Sequence, residues 1–204
     1  MNRVGTFEPG APAPARTRPV ERLRGKWGMW LFIATEAMLF AMLFFAYAYL
    51  VSRYAQWPPG EPPELVLPLI LLAILLASSG VVRWGERGIA RGDQARLRAG
   101  LGGAIILGLA FLVVQWFEYA RHLEQVRPTQ NSYGSIFYTI TSFHLAHVLV
   151  GMGILVYLLL RAFAGHFSRE RHLAVSNGAL YWHFVDLIWV FVVAILYLSP
   201  RLLR

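Results

Sequence analysis

Seven side chains carry the chemistry this sequence can do, and most of them stand among apolar residues. Glu36 lies in the run Lys26-Trp-Gly-Met-Trp-Leu-Phe-Ile-Ala-Thr-Glu36-Ala-Met-Leu-Phe. An ionised group at the centre of a membrane helix costs about 2.5–3.5 kcal/mol on insertion, so each one needs a reason. Glu36 has two readings: an acid that exchanges a proton or touches lipid, or a protonated acid bonded to a neighbouring helix. His144 and His147 are three apart and share a helix face. They suit heme or metal ligation, or a pair of neutral rings bonded to buried polar groups such as Glu36, Thr141 or Ser142. The second is favoured, because heme in a bundle needs an axial ligand aimed at a central cavity and no separate ligand set is evident. His183 and Asp186 are also three apart. They read as an interhelical or intersubunit polar contact, with a proton path as the less favoured alternative. Glu118, followed by Tyr119 and Arg121, reads as an interfacial acid near water or an arginine. Arg161 can extend its guanidinium to a lipid phosphate.

The elements that must position these groups are long and greasy. Of the 204 residues, 57% are hydrophobic and only 15% are charged, against roughly 25% charged in an average soluble domain. A helix needs about 20 apolar residues to cross a bilayer core of roughly 30 Å. Five stretches meet that length, at about 28–50, 65–84, 99–119, 136–160 and 179–199. The fold class is therefore all-α, an integral membrane bundle of five transmembrane helices. Strands of a membrane barrel would instead alternate in character over about ten residues. Residues 1–26, rich in proline and arginine, are expected to form a disordered cytoplasmic tail, and 27–204 the membrane domain. The first apolar run has no small-residue cleavage site after it and reads as retained. Small residues recur every fourth position at Gly100, Ala104 and Gly108, and again at Ala73 and Ala77. Both stripes read as faces where backbones approach within the bundle.

The formal charge is +8. Its cations sit at the edges of apolar runs, which points to the membrane surface and away from nucleic acid. The flank before span one and the loops after spans two and four hold 14 Lys and Arg; the opposite flanks hold Arg53, Arg121, Arg127, Arg201 and Arg204. The positive-inside rule then predicts a cytoplasmic N-terminus and an outside C-terminus. The chain has no cysteine, which excludes disulfides, thiolate metal sites and covalently attached c-type heme.

Taken in order, several segments resemble subunit III of the heme-copper oxidase family. They are the Glu36 run, Trp57-Pro-Pro-Gly, Ser78-Ser-Gly80, Gln115-Trp-Phe-Glu118-Tyr119 and Ser132-Tyr-Gly-Ser-Ile-Phe-Tyr138. Phe143-His-Leu-Ala-His147-Val and Tyr181-Trp-His183-Phe-Val-Asp186-Leu-Ile-Trp189 complete the set and are the specific ones. The resemblance covers about residues 24 to 199. It implies a chain with no heme or copper of its own, both being carried by partner subunits. It implies packing against the catalytic subunit I, in a complex that includes subunit II and sits in a bacterial plasma membrane. It implies bound phospholipid, with Arg161 similar to an arginine that holds a headgroup and Glu36 similar to a carbodiimide-reactive glutamate. The implied role is support of assembly and of sustained proton uptake, while the complex reduces oxygen to water and pumps protons. The seven-helix members have two further N-terminal helices; this chain shows no apolar run before Gly28 and is similar to the five-helix bacterial form. Competing expectations are an accessory protein of nitric oxide reduction, a membrane heme protein built on the histidines, and a proton channel built on Glu36.

Overall fold

In the computed structural model, residues 19–59, 62–125 and 127–202 are described. Among them, five helices are long and apolar enough to cross a membrane, and no strand occurs. They are α1 (Pro19–Arg53), α2 (Val66–Ala90), α3 (Gln94–Gln125), α4 (Ser132–Phe163) and α5 (Leu173–Val192). A π-helical stretch (Val193–Leu198) and a last turn, α6 (Ser199–Leu202), carry α5 onward as one rod.

Every helix outruns its apolar stretch. α1 begins at Pro19, so residues 19–26, assigned above to a disordered tail, are helical. Proline suits the first helical turn because its missing N–H has no partner to lose there, and the arginines and Lys26 that follow are good helix formers. Residues 1–18 of that tail, with Arg3, Arg16 and Arg18, and also Arg204, lie outside the described residues.

Packing order follows from which helices touch. The most extensive interface is α2 against α3. Their connection is only a few residues long: Gly92 takes φ +86°, a left-handed conformation that favours glycine. Asp93 Oδ1 then accepts from the Arg96 amide at 3.0 Å and starts α3. α5 is the central post, touching α1, α2 and α4. Within its apolar segment 61% of residues are buried, against 11% in α1, which leans on α4 and α5 from outside.

The small-residue stripe of α3 faces inward. Gly100 meets Gly85 backbone to backbone, Ala104 is buried, and Gly108 makes room for Met152 and Trp182. The stripe assigned to α2 does not. Ala73 and Ala77 are exposed, and the inward face of α2 is Leu71, Leu75, Ser78, Val82, Gly85 and Ile89. In lipid both faces of a helix are apolar, so spacing defines a face without saying which way it points.

The loop between α1 and α2 folds over the bundle through Trp57. Its ring lies edge-on to Tyr47 at 5.6 Å and to Tyr133 at 5.3 Å. At the next turn Asn131 caps α4, its side chain accepting from the Gly134 amide at 2.7 Å.

Candidate functional site

Three buried polar clusters occupy the bundle, each joining helices far apart in sequence. The first pairs α1 with α4. His147 Nδ1 lies 2.6 Å from the Phe143 carbonyl, which can only accept, so Nδ1 carries the hydrogen. Nε2 lies 2.9 Å from Glu36 Oε2. That contact ties α1 to α4 through a hydrogen bond between the ring and the carboxyl. Both partners are half-buried, and Phe40 closes the site with its ring 4.9 Å from the imidazole.

His144 does not join that pair. It is 1% exposed, and neither ring nitrogen has a hydrogen-bond partner among the described residues. Its ring stacks on Trp189 at 4.8 Å, with Phe111 edge-on at 6.1 Å. Of the polar partners expected for the histidines, Glu36 is taken by His147. Ser142 and Thr141 are taken by Tyr119 of α3, whose hydroxyl lies 2.5 Å and 3.2 Å from theirs. Both histidines lie against Phe40 of α1, but only His147 reaches Glu36, while the His144 ring also packs on Phe111 of α3 and Trp189 of α5.

The second cluster joins α2 to α5. Ser79 Oγ sits 2.6 Å from His183 Nδ1 and donates a short hydrogen bond to Asp186 Oδ2. One helical turn away Trp182 Nε1 donates to Ser78 Oγ at 2.9 Å. The two adjacent serines thus hold three residues of one α5 face. The Ser78-Ser-Gly80 patch was visible in the sequence, but nothing local said that its hydroxyls would be spent on α5.

The third cluster joins α3 to the π-helical stretch. Glu118 is 8% exposed. Arg121 lines the same small pocket, and the donors to Glu118 are Gln115 Nε2 at 2.8 Å and the Tyr197 hydroxyl at 2.5 Å. Tyr197 belongs to the π-helical stretch and is buried there. It is 79 positions from Glu118, so no short-range signal joins the two.

Arg161 closes α4. Its Nη1 donates to the Tyr157 hydroxyl at 2.8 Å and its guanidinium lies over that ring, while Nε is buried without a partner. Among the described residues no group of three His, Asp or Glu side chains converges as a metal site would require.

Residues 15–200 match the family model described as cytochrome c oxidase subunit III. The chain is 37% identical over 196 residues to the cytochrome c oxidase subunit 3 of Synechocystis sp., covering 95% of this chain and 82% of that protein. It is 34% identical to the Thermostichus vulcanus protein of the same name, covering 85% of this chain and 87% of that one. With the Gallus gallus subunit 3 the identity is 37% over 180 residues, covering 84% of this chain and 68% of that one.

Proposed function

The chain belongs to the cytochrome c oxidase subunit III family, and from that premise we propose that it serves the oxidase without binding heme or copper itself. It is a multi-pass membrane protein and an accessory subunit of a heme-copper cytochrome c oxidase. Its proposed role is to hold subunit I in a form that keeps taking up protons. Subunit II completes the complex, and the redox chemistry of reducing oxygen to water belongs to the partners. The names of the relatives are those of oxidase subunits, which favours oxygen reduction over nitric oxide reduction.

The observation that carries the cofactor-free reading is the state of the two histidines on α4. Axial ligation of heme needs a free imidazole lone pair aimed at a cavity. His147 has both nitrogens engaged, by Phe143 and Glu36. His144 is sealed between aromatic rings. The Glu36–His147 pair acts instead as a hydrogen-bonded strut between α1 and α4, and His183, Asp186 and Glu118 act as interhelical polar contacts. Arg161 fits a headgroup phosphate: a guanidinium at the end of α4, held by Tyr157, presents fixed donors to an anion.

The test uses the complex purified in mild detergent. The chain should co-purify with a heme-bearing subunit and show no heme spectrum when isolated. Glu36→Gln should keep assembly and heme content, with oxygen turnover within about twofold of wild type, because an amide still spans the contact and a neutral hydrogen bond is worth only about 1 kcal/mol. Arg161→Ala should lower the phospholipid retained per complex. Loss of all oxygen reduction in Glu36→Gln with hemes intact would show that the acid belongs to the catalytic path.

The proposed orientation puts residues 1–26 in the cytoplasm and the end of the membrane domain outside, in a bacterial plasma membrane. A reporter active only in the cytoplasm should be silent when fused after Arg204 and active when fused before Met1. The opposite pattern would invert the topology.

A further inference from the structure

The groove between α1 and α2 is floored by α5 and ends, on the cation-rich side, in a pocket of about 200 Å³. Lys26 of α1, Arg83 and Glu86 of α2, and Asn177 and His183 of α5 line it. At its floor begins the His183–Ser79–Asp186 chain, which runs inward and stops. Asp186 is 3% exposed, and its second oxygen, Oδ1, is buried without a partner among the described residues, as is His183 Nε2.

The direction of the hydrogen bonds follows from the atoms. A carboxylate only accepts, so the single hydroxyl hydrogen of Ser79 goes to Asp186 Oδ2. The Ser79 oxygen must then accept from His183 Nδ1–H. This leaves a lone pair on His183 Nε2, a buried atom of a ring that lines the pocket. The geometry points to a proton-holding site: a chain in which a proton entering at His183 is passed through Ser79 and stored on Asp186.

The step balances without any other reactant. A proton from water binds Nε2 of His183. The Nδ1–H bond breaks and its proton moves to Ser79 Oγ, while the Oγ–H proton moves to Asp186 Oδ2. The products are a neutral imidazole in its other tautomer, an intact serine and a carboxylic acid. Both hydrogen bonds survive with their polarity reversed, which only a hydroxyl in the middle position allows. Uptake also removes a buried negative charge, and burying such a charge is expensive. Release runs the same steps backwards, because the path ends blind at Asp186. Other titratable groups against this part of α5 are Lys26 and Glu36 from α1, Arg83 and Glu86 from α2, and His144 and His147 from α4, with Tyr181 of α5 itself between Glu36 and the His147 carbonyl. Arg83 and Glu86 flank His183 with opposite charges.

The site needs only this bundle. Its service to proton uptake rests on the accessory role and orientation proposed above, and the readout below is independent of oxygen turnover. The experiment is time-resolved infrared spectroscopy of the intact oxidase complex after a jump to lower pH. Wild type should gain a protonated-carboxyl carbonyl band that shifts in D2O and is absent in Asp186→Asn. Ser79→Ala keeps both titrating groups and removes the hydroxyl, so the band should rise at least about tenfold more slowly, as loss of a positioned proton carrier typically costs more than that. Ser79→Thr restores the hydroxyl and should restore the rate. If Ser79→Ala does not assemble, His183→Gln keeps a donor toward Ser79, cannot relay, and must give the same slowing. A band unchanged in Asp186→Asn overturns the proposal. So does a wild-type rate in Ser79→Ala or His183→Gln, or a band indifferent to pH and D2O, which would make the cluster a static strut.

Discussion

Leucine in place of Gly100 is expected to separate α2 from α3 and leave no folded chain to recover in detergent. A Cβ at Gly100 would lie 2.6 Å from the Gly85 Cα, 3.0 Å from the Gly85 nitrogen and 3.0 Å from the Val81 carbonyl oxygen. All three are backbone atoms, so no rotamer change relieves the clash and the helices must part. Overpacking usually costs about 1–3 kcal/mol when side chains can yield. Here Gly100→Ala alone should reach the top of that range, about 3 kcal/mol, and leucine should exceed it. The α2–α3 contact is the most extensive in the bundle, and little else holds α3 on that side. Gly102 is the internal control, since a Cβ there meets nothing within 4 Å. Gly102→Ala should melt with wild type or slightly above it, by the helix propensity of alanine. Tryptophan-fluorescence melts of the detergent-solubilised chain make the comparison. A Gly100→Ala melt matching that of Gly102→Ala would mean that the two backbones are not in contact.

Trp182→Ala should be nearly as damaging. Trp182 is fully buried and reaches α2, α3 and α4. Its indole N–H reaches Ser78 of α2. A Cβ at Gly151 of α4 would lie 2.8 Å from the indole ring, and one at Gly108 of α3 would lie 3.3 Å from it. Two glycines thus shape the slot that this ring fills. Removal of a buried tryptophan typically costs about 3–5 kcal/mol. In lipid the transfer part of that figure shrinks, because acyl chains are as apolar as the core, and what remains is lost packing. The lower end, about 3 kcal/mol, is expected. Trp182→Phe keeps most of the packing and loses the N–H. Ser78 still donates to the Leu75 carbonyl at 2.7 Å, so this change should cost only about 1 kcal/mol. Thermal melts of the two variants, with recovery of the complex, measure the ratio. Equal losses would mean that the hydrogen bond, and not the ring, ties α5 to its neighbours.

What the amino-acid sequence determined alone was the set of spans and the family resemblance. A bilayer imposes one length on every crossing, and that length is a local quantity, countable from a run of apolar residues. The ends were less legible. α1 starts at Pro19 and α3 runs from Gln94 to Gln125, beyond the apolar limits, since charged side chains can leave the hydrocarbon while the backbone stays helical. The candidate residues were legible as types: an acid or histidine in a greasy run stands out because of its cost. Their partners were not. Glu36 and His147 are 111 positions apart, Ser79 and Asp186 are 107 apart, and Glu118 and Tyr197 are 79 apart. Ala73 and Ala77 show the general reason. In water, the apolar face of a helix announces the core. In a membrane every face is apolar, so the inside is decided by which surfaces interlock, and only the assembled bundle specifies that.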